Sequence, residues 1–235
     1  MPSLARRLVA EALGTFALVF VGAAVVVVNG GFPNSGIGLI GIALAHAVVL
    51  AVMVSATMTI SGGHLNPAVT VGLLATRRID PASAAAYIVA QLAAAGAAAA
   101  LVKALLPAAA VRAALLGTPV IASSVTLGQA IGMELVLTFF LMSAVFGTAI
   151  SPEAPRVAGF GIGLVLLFDI LVGGPLTGAA MNPARAFGPA VIAGQWLGHV
   201  VYWVGPILGA LLAAILWQYV LLPKTLVTAR RRRTD

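Results

Sequence analysis

The chain contains no cysteine, and only 8% of its residues are charged. The first absence excludes disulfides, thiolate metal ligands and a cysteine nucleophile. The second excludes an ordinary soluble globule, in which about a quarter of residues carry charge. Acidic residues are scarcest: six Asp and Glu stand against thirteen Lys and Arg, a net charge of +7. Such an excess can mark a nucleic-acid partner, but the basic residues are dispersed between apolar segments except for Arg230, Arg231, Arg232 and Arg233, so the charge reads as topological and no nucleic acid is expected. What abounds is apolar. Hydrophobic residues make up 61% of the 235 positions, and the mean hydropathy is +1.11, the composition of a membrane protein.

A hydrocarbon core of about 30 Å takes roughly 20 apolar residues per spanning helix. Apolar runs bounded by Gly, Pro or charge predict helices near 5–28, 37–60, 82–106, 127–150, 157–173 and 199–221. Arg6 and Arg7 before the first run resemble a signal peptide, but the run continues through Val28 without a convincing small-residue cleavage site, and it reads as a retained helix. An even number of spans puts both ends of the chain on one side. That side would hold Arg6, Arg7, Arg77, Arg78, Arg156, Lys224 and the tail arginines, against Lys103 and Arg112 opposite. The positive-inside rule then makes it cytoplasmic, with the cell (plasma or inner) membrane as the expected location.

Two shorter apolar stretches, near 66–76 and 182–192, follow the second and fifth spans. Each reaches only about 15 Å at 1.5 Å per residue, half the core. Both open alike: Ser61-Gly62-Gly63-His64-Leu65-Asn66-Pro67-Ala68 and Thr177-Gly178-Ala179-Ala180-Met181-Asn182-Pro183-Ala184. Asparagine is a strong N-cap and proline suits the first helical turn, so each Asn-Pro-Ala starts a half-helix. The halves match elsewhere too. Glu11 with Thr15-Phe16 recurs as Glu134 with Thr138-Phe139, and Gly41-Ile42-Ala43-Leu44 as Gly161-Ile162-Gly163-Leu164. Three spans plus a half-helix per copy force the second copy to enter from the opposite face, an inverted repeat over about 1–110 and 120–235 within a single domain, 1–235. The fold class is an all-α membrane protein of six transmembrane helices and two re-entrant half-helices. Irregular backbone ahead of each asparagine is tolerable at that depth only in protein or beside a water-filled cavity.

These paired motifs resemble the two signature loops of aquaporins, the major intrinsic protein family, and the resemblance covers essentially the whole chain. It implies a narrow pore in each subunit, usually a homotetramer with four independent pores, and passive passage of water. Carried over by spacing, the family's four-residue selectivity filter falls on His46, Ile170, Ala179 and Arg185. The resemblance further implies that Glu11 and Glu134 brace the loops before the half-helices. Glycerol facilitators typically have Asp after the filter arginine, a basic residue four positions later and Pro-Leu in the sixth helix; here Ala186, Ala190 and Tyr202-Trp203 stand there, the aquaporin side of that division. A His, Ile, Ala, Arg filter departs from the narrow pattern of Phe, His, a small residue and Arg. It is similar to that of tonoplast intrinsic proteins, some of which pass ammonia or urea as well as water.

Physically, half-helix N-termini aim unsatisfied amides and positive dipole ends at the pore centre, and the amides of Asn66 and Asn182 can donate to a passing water. Arg185 inside the membrane is costly unless it meets water or partners; fixed there, it repels cations. His46, on an otherwise apolar helix, can donate to or accept from water and ammonia. Ile170 and Ala179 set size. His64 is expected in the pore lining, and Asp169, beside Ile170, to face loop amides. Gly159, Gly163, Gly205 and Gly209, with the alanine-rich stretch 84–100, read as close helix packing, and Tyr87, Tyr202, Trp196 and Trp203 as interfacial anchors.

Rival readings are a glycerol or small-solute facilitator, an ion-coupled secondary transporter, which can share inverted repeats and broken helices, and an adhesive protein with a closed pore. A carrier needs a site that alternates and couples to an ion gradient, whereas this filter holds fixed donors and small apolar walls. The outer loop near 107–126 offers little binding surface. No nucleophile, base and orienting group converge and no metal-ligand spacing occurs, so no enzyme activity, cofactor or metal is expected. The partners are water, small uncharged solutes and membrane lipid.

Overall fold

A computed structural model describes residues 2–32 and 34–223. Lys224 and the tail arginines 230–233, counted above toward the more basic face, lie outside the described residues. Among those described there is helix but no strand. In chain order the helices are α1 (Leu4–Gly31), α2 (Gly38–Thr57), α3 (Pro67–Ala75), α4 (Pro81–Leu105), α5 (Ala108–Ala113), α6 (Leu127–Val145), α7 (Phe160–Thr177), α8 (Pro183–Ala193) and α9 (Val201–Leu216). Helices α6 and α9 run on into π-helical turns, Phe146–Ile150 and Trp217–Leu221. Among the described residues six segments are long and apolar enough to cross a membrane. With 9 and 11 residues, α3 and α8 are not.

Local chemistry sets most of the helix starts. Asn66 and Asn182 cap α3 and α8 with proline in the first turn. Asp80 with Pro81 does the same for α4, and Thr126 with Gln129 forms a capping box on α6. Helix α7 departs from expectation. Gly173, Gly174 and Pro175 read as a stop near residue 173, yet the helix continues to Thr177 and ends where Gly178 turns left-handed at φ 80°. Apolar surroundings favour keeping every satisfiable backbone bond inside the helix, so one missing proline N–H does not end it.

The spans pack through small residues. A Cβ on Gly163 of α7 would lie 2.5 Å from the Ala51 nitrogen of α2, and one on Gly205 of α9 would lie 2.8 Å from the Ile131 oxygen of α6. Helices in such contact leave no room for even a methyl group. The outer loop holds more helix than its composition suggests: α5 and the 3₁₀ turn Leu115–Gly117 pack on α1, and this brings the Gly117 carbonyl to Arg185.

Candidate functional site

Each signature loop is held by one buried carboxylate. Glu11 of α1 accepts from Ser61 Oγ (2.6 Å), His64 N (3.0 Å), Leu65 N (2.7 Å) and Gln91 Nε2 (2.8 Å). Glu134 of α6 accepts from Thr177 Oγ1 (2.7 Å), Ala180 N (2.9 Å) and Met181 N (2.7 Å). Both glutamates are fully buried. Their amide partners belong to backbone that few side chains favour: Leu65 and Met181 both sit at φ 51° and Ala179 at φ 44°, a region costing roughly 1 kcal/mol or more per residue. Anchoring the amides on a carboxylate keeps these loops in that shape.

The purpose of the shape is visible in the carbonyls. Turned left-handed, the Met181 carbonyl accepts from Asn66 Nδ2 (2.9 Å) and the Leu65 carbonyl from Asn182 Nδ2 (2.8 Å). Each asparagine oxygen meanwhile caps its own half-helix, accepting from Ala68 N (2.8 Å) or from Ala184 N (2.9 Å) and Arg185 N (3.3 Å). A primary amide has two N–H bonds, so each asparagine has one committed to the opposite loop and a second available. Both asparagines line an internal cavity that also meets His64, His46, Ile170, Ala179 and Arg185, with largely apolar walls from Leu18, Leu50, Leu141 and Leu166.

In the wall of this cavity Arg185 is buried yet paired. Its Nη1 donates to the Gly117 carbonyl (2.9 Å) and its Nε to His46 Nε2 (3.4 Å). The opposite ring nitrogen, His46 Nδ1, donates to the Ile42 carbonyl at 2.9 Å. A guanidinium only donates and a carbonyl only accepts, so these two bonds define a neutral imidazole with its proton on Nδ1. Gly22 of α1 lies against the same ring: a Cβ there would be 2.5 Å from His46 Nε2. His64 pairs with Thr70 Oγ1 at 3.1 Å and packs edge-on against Tyr87, and it also lines two clefts that open on the face where α1 begins.

Of the residues singled out from the sequence, Asn66, Asn182, His46, Ile170, Ala179, Arg185 and His64 line one cavity, and Glu11 and Glu134 hold the loops that form part of its wall. Tyr87 and Tyr202 are not interfacial anchors. Each is 1% exposed; the Tyr87 hydroxyl donates to the Ser61 carbonyl (2.9 Å) and that of Tyr202 to the Thr177 carbonyl (2.8 Å), the corresponding position of the other loop. Apolar helix partners draw the rings inward once the hydroxyl has an acceptor. Gln91 could have been suspected as a lone amide in an alanine-rich span, but Gly22 and Gly117 carry no such signal. Asp169 does not face loop amides. It is 1% exposed, neither carboxyl oxygen meets a donor among the described residues, and it lines a cleft between α6 and α7 with Met133, Val136, Phe140 and Phe168.

A family model described as "Major intrinsic protein" matches residues 1–217. The chain belongs to the major intrinsic protein family. Among its relatives within that family is a Zea mays protein named Aquaporin TIP4-4, 44% identical over 221 residues that cover 90% of this chain and 85% of the relative. Another, Aquaporin TIP4-1 of Arabidopsis thaliana, is 42% identical over 229 residues, covering 95% and 89%. The fold is similar to the X-ray structure of the aquaglyceroporin from Plasmodium falciparum, with a TM-score of 0.85 over 94% of this chain and 98% of that one. At 24% identity, that likeness concerns the fold alone. As a major intrinsic protein with six apolar spans, the chain is a multi-pass integral membrane protein.

Proposed function

We propose that this protein is a passive channel for water and small neutral solutes such as ammonia or urea, closed to protons and ions. The observation that carries the reading is the meeting of Asn66 and Asn182, each with an uncommitted N–H, in the wall of a cavity that Arg185 also lines. A water at the midpoint accepts from both asparagines, so its own hydrogens point away along the cavity and it relays no proton in either direction. The N-termini of α3 and α8 add positive potential at the same point, and Arg185 adds a full charge at the filter formed with His46, Ile170 and Ala179. In this reading Asn66-Pro67-Ala68 and Asn182-Pro183-Ala184 are the pore motifs, Glu11 and Glu134 brace them, and His64 lines the far half of the pore.

The channel is a single domain, 1–235, of two inverted repeats over about 1–110 and 120–235, assembled as a homotetramer with one pore per subunit. Both ends of the chain are cytosolic, on the charge asymmetry of the loops. Relatives named as TIP-type aquaporins weigh against a plasma or inner cell membrane, so the proposal keeps the orientation alone.

The decisive test is stopped-flow swelling of proteoliposomes. Wild type is expected to pass ammonia or urea along with water, and His46→Phe/Ile170→His to lose the solutes while keeping water. Solute flux indistinguishable from empty vesicles in the wild type would reduce the reading to a strict water channel. Gly22→Ala supplies a second check, because its methyl forces the His46 ring off its present seat. Overpacking of this kind costs about 1–3 kcal/mol, and here the ring can yield only toward the cavity or away from Arg185. Solute flux is expected to fall more than water flux in the same assay; unchanged ratios would show that the ring position does not set selectivity.

A further inference from the structure

The face where α1 begins carries a cleft, shared with the pore residue His64, whose arginines the channel reading leaves unused. It is lined by Arg7 from the first turns of α1, by Arg77 and Arg78 from the turn after α3, and by Asp80 and Pro81 at the start of α4. Three guanidinium groups therefore share the cleft with one carboxylate. That carboxylate is already engaged, since Asp80 Oδ1 accepts from Ser83 N at 2.8 Å as the cap of α4. The same bond holds its carboxyl below the usual carboxylate range, so it remains ionised without neutralising three arginines.

The arginines differ in how far they are satisfied. Arg78 donates to Gln218 Oε1 (2.8 Å) and lies over the Phe146 ring at 5.2 Å, which places it as part of the wall. Arg7 makes one long bond to Ser83 Oγ (3.4 Å) and lies 5.9 Å from the Tyr87 ring centre, while its Nε is buried with no acceptor among the described residues. Arg77 is exposed on a left-handed turn at φ 56°. A guanidinium presents five donors in a planar fork suited to phosphate oxygens.

We propose that this cleft binds a phosphate group, with Arg7 and Arg77 as the ligating forks and Arg78 as a fixed charge behind them. The phosphate comes either from an anionic lipid headgroup, since Arg7 opens a membrane-spanning helix, or from a free phosphate in the adjoining aqueous phase. His64, in the same cleft, also lines the pore cavity, but the arginines lie away from the filter, so the site stands whether or not the filter passes solutes.

The test is thermal unfolding of the full chain in detergent, titrated with inorganic phosphate, with short-chain phosphatidic acid and with short-chain phosphatidylcholine. A rise in Tm with phosphatidic acid but not phosphatidylcholine supports the site and assigns it to headgroups; a rise with inorganic phosphate as well supports it and assigns it to the free anion. Arg7→Gln/Arg77→Gln is expected to weaken binding at least about tenfold. Asp80→Asn, which keeps a good cap while removing the one negative charge, is expected to tighten it several-fold and reads the site without loss of an arginine. A full chain with Arg230→Gln, Arg231→Gln, Arg232→Gln and Arg233→Gln should bind as wild type. No shift with either phosphate ligand, an affinity unmoved by Asp80→Asn, or binding that follows the tail substitutions instead overturns the proposal.

Discussion

Glu134→Leu is expected to lower the thermal unfolding midpoint by about 6–20 °C, from roughly 3–5 kcal/mol at about 2–4 °C per kcal/mol for a chain of this size. Three donors depend on this carboxylate: Thr177 Oγ1, Ala180 N and Met181 N. The carboxylate they surround is fully buried, and a leucine in its place offers them no acceptor. Each orphaned donor costs about 1–3 kcal/mol, and removing the carboxylate's own desolvation recovers part of the sum. The loop also loses what holds Met181 at φ 51°, so its carbonyl stops presenting an acceptor to Asn66. Water permeability should therefore fall even in the fraction that stays folded. Glu134→Gln, which trades one acceptor oxygen for a donor facing donors, should fall between the leucine variant and wild type, and Glu11→Leu should mirror it in the other loop. Circular dichroism melts in detergent check this, and a midpoint within about 3 °C of wild type would show that the loops stand without their carboxylates.

The second large effect concerns charge. Arg185→Leu is expected to keep water flux at or above the wild-type level while raising cation leak about thirtyfold. A unit charge about 8 Å from a permeant cation, at an effective dielectric of 20, contributes about 2 kcal/mol to the barrier, which is that factor in rate. Selectivity is not abolished altogether, because Asn66, Asn182 and the N-termini of α3 and α8 remain in place. His46 loses its Arg185 partner and gains freedom to turn, so larger neutral solutes should pass as well. Proteoliposomes with an internal pH dye and an imposed potassium gradient give leak and swelling on one preparation. Ion leak equal to wild type alongside unchanged water flux would mean that the half-helix ends alone exclude cations.

Comparison of the two loops shows how the reading from sequence succeeded and where it stopped. Asn66-Pro67 and Asn182-Pro183 are caps whose chemistry acts within three residues, so the starts of α3 and α8 were legible to the residue. Span positions followed from hydropathy, since an 18-residue apolar helix has few other places to go. Tyr87 and Tyr202 were misread because a tyrosine near a helix end looks the same whether it meets headgroups or an inward carbonyl. Pro175 was misread because breaker statistics assume water waiting for the freed carbonyl.

Local capping, apolar run length and the duplication of one pattern were determined by the sequence alone, because each depends on neighbours a few residues away or on composition over a span. Which face of each helix turns inward, and what meets what across it, was decided only by tertiary structure. Arg185 reaches the Gly117 carbonyl, a partner 68 positions distant, and Asn66 and Asn182 reach carbonyls 115 and 117 positions away. Hydrogen bonds require placement within tenths of an ångström, and across such separations that placement comes from the packing of every helix between, as at Gly163 and Gly205, which no spacing along the chain encodes.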